Sequence, residues 1–208
     1  MLVRIHPVNP QERQLQVLVN CLRGGGIVII PTDTVYAFAC DSTQLKAAER
    51  LARLRNTSLE NANFSFVCYD LSHISDYARP FSTEIFKLMK RALPGPYTFI
   101  LNAGNKISTR YFGSKSHKNT IGIRVPGHKI PREIVNLLGV PLMVSSLHDE
   151  DEILEYTTDP ELIHERYKDL VDMIVDGGIG DNIPSTVVDC SGESPVVIRE
   201  GKGEINFI

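Results

Sequence analysis

Short apolar, β-branched runs alternate with segments of helical period along most of the chain, and this alternation limits the fold more than any other feature. Leu2–Ile5 has the composition of a short strand. Asn9-Pro10-Gln11-Glu12 follows with the marks of a helix start: an Asn cap, a proline at the first helical position and an early glutamate. Leu15, Leu18, Val19 and Leu22 then recur at helical spacing, and Gly24-Gly25-Gly26 ends the helix because glycine accepts the left-handed cap conformation. Ile27–Ile30 is apolar at every position, as expected of a strand covered on both faces. A second helix is expected to open at Ser42 or Thr43, with Leu45, Ala48, Leu51 and Ala52 on its buried side. Further strands are expected at Phe64–Cys68, Tyr97–Leu101, Ile121–Val125, Leu142–Ser145, Val171–Val175, Thr186–Asp189 and Val196–Arg199. Helices are expected from the Ser82 cap, through Ile85, Leu88 and Met89, to Pro94-Gly95-Pro96, then over Pro131–Leu138 and Asp159–Tyr167. No internal repeat or low-complexity linker interrupts the pattern. It predicts an α/β fold: a twisted mixed sheet with flanking helices, built as one domain over residues 1–208.

Composition narrows the function classes. The net charge of −3 does not suit a protein whose whole surface grips nucleic acid. No apolar run approaches the roughly 18–20 residues of a membrane span, and MLVRIHPVNP lacks the apolar core of a signal peptide, so the expected location is the cytoplasm. Cys21, Cys40, Cys68 and Cys190 are far apart in sequence and sit in apolar surroundings, which predicts reduced, mostly buried thiols. The six histidines form no HxxxH or HExxH pair, so no metal held by protein ligands is expected. One local basic stretch, within Asn102–Asn119, carries Lys106, Arg110, Lys115, His117 and Lys118 around Tyr111 and Phe112. It is either a solvated loop or a surface that touches a nucleic-acid backbone and stacks on bases.

Several strands end in polar groups. Ligands of open α/β sheets sit beyond the carboxyl ends of strands. The run GGGIVIIPTDTVYAFACDS delivers Thr32, Asp33, Thr34 and Tyr36 after an apolar strand. TIGIRVP supplies Arg124, PLMVSSLH supplies Ser145, Ser146 and His148, PSTVVD supplies Ser185 and Thr186, and VVIREG supplies Arg199. Each has an ordinary explanation as a turn or a local ion pair. Together they describe a polar cavity with hydroxyls and two guanidiniums, which fits an anionic ligand.

The segments PTDTVYAFACDS, PGPYTFIL, IGIRVPGH, PLMVSS, PSTVVDCSG and VVIREG occur in the order found in the YrdC/YciO family, which the chain resembles over about Gly24 to Gly201. IHPVNPQER and the overall length are most similar to the YciO branch. The resemblance implies a twisted α/β fold around a large concave cavity. It also implies the chemistry of the threonylcarbamoyl-AMP synthases of tRNA modification, which join L-threonine, bicarbonate and ATP (with Mg2+) into threonylcarbamoyl-adenylate and pyrophosphate. By that resemblance Thr32, Thr34 and Tyr36 line the threonine end, Thr120 and Arg124 hold substrate, and Arg199 faces the nucleotide. Asn63, Ser145 and Ser185 complete the expected lining.

The synthases carry KxR and SxN motifs. In LARLRNTSLENANFSF, Arg55 falls on the motif lysine and Thr57 on its arginine; Arg53 and Arg55 form the alternative pairing. In MVSSLHDED, Ser146 falls on the serine and His148 on the asparagine. Three functions stay open at this point: a nucleotide-binding protein with weak or altered synthesis, an RNA-binding module without adenylate chemistry, and a fully active synthase.

Overall fold

The computed structural model describes residues 1–105, 120–147 and 157–206. The expected strands and helices are present, with one addition and small shifts at their ends. In chain order they are β1 (Leu2–Arg4), α1 (Glu12–Arg23), β2 (Val28–Ile30), β3 (Ala37–Asp41), α2 (Leu45–Leu54), β4 (Ser65–Val67), α3 (Thr83–Ala92), β5 (Tyr97–Asn102), β6 (Thr120–Arg124), α4 (Lys129–Leu138), β7 (Leu142–Ser146), α5 (Pro160–Tyr167), β8 (Met173–Asp176), β9 (Thr186–Asp189) and β10 (Val196–Arg199). The described strands form one mixed sheet in the order β1-β8-β2-β3-β7-β4-β6-β5-β9-β10.

The addition is β3. The hydroxyl-rich segment after β2 is a reversal, not a loop leaving the sheet. The Thr32 hydroxyl donates to the Val35 carbonyl at 2.7 Å, and AFACD returns antiparallel to β2, pairing Val28 with Ala39 and Ile30 with Ala37. Two helix starts lie later than expected. The Asp41 carboxylate accepts from both the amide and the hydroxyl of Thr43 at 2.7 Å. This holds Ser42 and Thr43 in a turn, so α2 begins at Leu45 and leaves that leucine exposed, with Ala47 buried in its place. At α1 the cap position is Gln11, because Val8 and Asn9 donate their amides to the His6 imidazole. Gly25, at φ +83°, takes the left-handed position expected after that helix.

Alternation along the strands sorts the core into two clusters, one on each face of the sheet. On one face α2, α3 and α5 pack Ala48, Leu51, Leu88, Met89 and Ile163 against Ile29, Phe38, Phe66, Phe99 and Ile123. On the other, α1 and α4 pack Leu18, Leu22, Ile130 and Ile134 against Val28, Ile30, Ala39, Val67 and Val144. Cys40, Cys68 and Cys190 are buried and free, Cys21 is half-buried and free, and burial pushes the Cys40 and Cys68 thiols up to about 12. Among the described residues, no helix is long and apolar enough to cross a membrane.

Candidate functional site

The pair α1 and α4 covers only part of its face. Beyond Val144 and Val67 the same face continues across β4, β6, β5 and β9, where Ser65, Gly122 and Thr98 are small or polar inward positions beside the apolar Ile100 and Val187. A sheet face that carries small side chains and, among the described residues, no covering helix leaves a hollow. Here it is a cavity of about 440 Å³. Its lining includes Asn63, Ser65, Thr98, Thr120, Arg124, Ser145, Ser146, Ser185 and Arg199. Volumes of this order suit a small-molecule ligand.

Gly122 forms part of the floor. A Cβ there would lie 2.8 Å from the Ser65 hydroxyl oxygen and 3.1 Å from the Thr98 methyl, so only glycine lets these three strands meet so closely. Beside it the Thr98 and Ser185 hydroxyls, both buried, share a hydrogen bond of 2.8 Å. Arg199 caps this end of the cavity. Its Nε and Nη2 donate to the Ser185 carbonyl at 3.2 and 2.9 Å.

Arg124, the last residue of β6, is only 4% exposed. Its Nη2 donates to Asp33 Oδ1 and to Thr34 Oγ1, both at 3.0 Å. Its Nε is buried without a partner. Burial pulls the Arg124 pKa down, the Asp33 carboxylate opposes that, and the nearby positive charge of Arg199 adds to the lowering. Burial alone lowers the Arg199 pKa. An arginine stays charged under such pressure. The cavity therefore holds two cations that repel each other and hydroxyls able to donate or accept, an arrangement that an anionic ligand would neutralise.

The expected residues fall into five groups. Asn63, Thr120, Arg124, Ser145, Ser146, Ser185 and Arg199 line the cavity. Thr32 lines a separate open pocket with Asp33, His128, Gly178, Asp181 and Lys202. Thr34 and Tyr36 are both fully buried; the Tyr36 hydroxyl donates to the Gly178 carbonyl at 2.7 Å and accepts from the Gly177 amide at 3.3 Å. Arg55 and Thr57 are not among the lining residues of either pocket: the Arg55 guanidinium lies 5.9 Å from the Phe38 ring centre, and the Thr57 hydroxyl points at the Ser58 carbonyl at 3.4 Å. His148 and the basic residues Lys106 to Lys118 lie outside the described residues. The sequence reading did not pick out Ser65, Thr98 or Gly122. Their signal was the alternation itself, since each occupies the inward phase of a strand whose other phase is Phe66, Phe99 or Ile123. Among the described residues no group of three His, Cys, Asp or Glu side chains could hold a metal ion.

The Sua5/YciO/YrdC family model, described as telomere recombination, matches residues 20–201. A Haemophilus influenzae protein is 43% identical over 96% of this chain and 94% of its own length. YciO of Escherichia coli is 39% identical over 97% of this chain and 95% of its own, and the crystal structure of E. coli YciO superposes with a TM-score of 0.89 over 99% and 98% of the two chains. The threonylcarbamoyl-AMP synthase of Pyrococcus abyssi is 24% identical over 92% of this chain, which spans 55% of that protein. The crystal structure of P. abyssi Sua5 complexed with L-threonine shares the fold, with a TM-score of 0.84 at 22% identity over 97% of this chain and 57% of the other. The small inward residues, the buried arginine and these matches lead to one conclusion: the chain belongs to the Sua5/YciO/YrdC family.

Proposed function

We propose that the cavity binds L-threonine and the phosphates of ATP, and that the protein forms threonylcarbamoyl-adenylate slowly. The observation that carries this reading is the buried Arg124, which lines a cavity shared with Arg199 and several hydroxyls and whose Nε is left without a partner. A buried guanidinium with an unmet donor favours a carboxylate or phosphate oxygen, and a charge-assisted hydrogen bond there contributes about 1.5–3 kcal/mol. The lining donors suit an anion, and Mg2+ would arrive with the triphosphate, which supplies its oxygen ligands. The L-threonine complex of P. abyssi Sua5 supports threonine as the amino acid. In the overall reaction the threonine amine is carboxylated by bicarbonate with loss of water, the carbamate oxygen bonds to the α-phosphorus, and the bond from that phosphorus to the bridging oxygen breaks as pyrophosphate leaves. Slow turnover follows because Thr57 carries no charge where the synthase motif has an arginine, and neither Thr57 nor Arg55 is among the residues lining the cavity beside Arg124 and Arg199. Losing one such donor costs on the order of 100-fold in rate.

The test is pyrophosphate release from ATP, L-threonine and bicarbonate, run beside a threonylcarbamoyl-AMP synthase. The expected result is a rate on the order of 100-fold below the synthase, abolished in Arg124→Ala. A rate equal to the synthase, or one that Arg124→Ala leaves unchanged, defeats the reading. Binding of double-stranded RNA or tRNA would rest on the stretch within Asn102–Asn119, of which residues 106–119 lie outside the described residues.

A further inference from the structure

The hydroxyls of the PTDT turn hold each other in a fixed order. Thr32 Oγ1 lies 2.7 Å from the Val35 carbonyl, which can only accept, so the single Thr32 hydroxyl proton is spent there. Thr32 Oγ1 is also 3.0 Å from Thr34 Oγ1. With its own proton committed, Thr32 must accept in that contact, and Thr34 must donate. Thr32 Oγ1 accepts from the Thr34 amide as well, at 3.0 Å. Thr34 Oγ1 in turn accepts from Arg124 Nη2. The chain therefore runs one way: Arg124 to Thr34 to Thr32 to the Val35 carbonyl. The second Nη2 hydrogen goes to Asp33 Oδ1, and Asp33 Oδ2 is anchored by the Gly127 amide at 2.8 Å. Both hydrogens of Nη2 are thus used, and neither threonine hydroxyl has a proton left for a ligand. Thr34 is completely buried, and Thr32 faces the other pocket.

We infer that Thr34, Thr32 and Asp33 are positioning residues: they hold the Arg124 guanidinium by its Nη2 and so set how this arginine lines the cavity, and none of the three touches the ligand. The inference rests on the proposed role of the cavity as an anion site. It turns the most hydroxyl-rich segment of the sequence into the mounting of a single arginine.

Two measurements test it. In the first, calorimetry with L-threonine and with inorganic pyrophosphate compares the wild type, Arg124→Ala, Thr34→Val and Thr34→Ser. If the wild type binds neither probe, or Arg124→Ala binds both as well as wild type, the anion-site reading itself fails. If Arg124→Ala loses binding, Thr34→Val should weaken it on the order of tenfold, the loss of one charged hydrogen bond, while Thr34→Ser stays close to wild type. Unchanged affinity in Thr34→Val then overturns the inference. In the second, the guanidinium nitrogen signal of Arg124 is followed by NMR in ligand-free protein, assigned by its disappearance in Arg124→Lys. It should move or broaden in Thr34→Val and stay in place in Thr34→Ser. A hydroxyl that acted by touching the ligand would leave this signal unmoved, and that result also overturns the inference. Should Thr34→Val not fold, Asp33→Asn, which keeps the shape and removes the charge, is judged by the same two criteria.

Discussion

At Gly122 the space for even one methyl group is missing, because Ser65 and Thr98 close in from β4 and β5. Gly122→Ala should cost about 1–3 kcal/mol through overpacking, read as a lower midpoint in urea denaturation, and should weaken probe binding because it fills the cavity floor. Tyr36→Phe removes a hydroxyl that accepts from one glycine of the Gly177–Gly180 loop and donates to another. It should cost about 1–3 kcal/mol in the same assay, while leaving the affinity of the cavity for L-threonine unchanged, since Tyr36 does not line it. These two residues show what a sequence does and does not disclose at this scale. Arg124, Ser146 and Arg199 announced themselves as polar groups at the carboxyl ends of strands, where an open sheet places its ligands, whereas Ser185 reaches the cavity from just before β9. Tyr36 and Thr34 carry equally polar side chains but point inward, and their direction depends on a reversal that apolar periodicity does not encode.

Among the elements, α4 carries a pH-sensitive start. His128 occupies its N-cap, and the imidazole Nδ1 accepts from the Ile130 amide at 3.2 Å. Burial lowers the His128 pKa from its ordinary value of 6.5, with the Asp33 carboxylate opposing. A group whose folded pKa is depressed binds fewer protons when folded, so its contribution to stability is present above pH 6.5 and is lost as pH falls toward and through the folded value. Protonation would also put a hydrogen on the nitrogen that caps the helix. Stability measured by thermal melting should therefore fall as pH drops below 6.5, and His128→Asn, which keeps a capping oxygen, should flatten that dependence. A slope in His128→Asn equal to the wild-type slope would refute the assignment. Helices were legible because their apolar spacing and caps are local: the Ser82 cap of α3 is where the sequence put it, accepting from Ile85. β3 was missed because its run AFACD follows a polar turn and three of its five residues are alanine or cysteine. What makes it a strand is pairing with β2 and β7 on either side, a long-range property.

For the whole molecule, the two helical layers matter as much for what they leave open as for what they cover. Leu18 is fully buried beneath α1 in the layer that α1 and α4 share. Leu18→Ala should cost about 2–5 kcal/mol, with loss of structure in a single denaturation transition if the sheet unfolds as one unit. The fold class was legible from the alternation of elements and a polar cavity from the strand ends; the cavity floor was not, because it depends on which half of one face the described helices leave uncovered. One feature of strand order bears on how the protein is made. β8 lies between β1 and β2 and is hydrogen-bonded to both, so the first two strands of the chain never touch each other in the sheet. On the ribosome, β1 and β2 emerge early and wait for residues 173–176 before either meets this neighbour. A nascent chain stalled before β8 should leave its first residues open to protease, and release of the segment through Asp176 should close them.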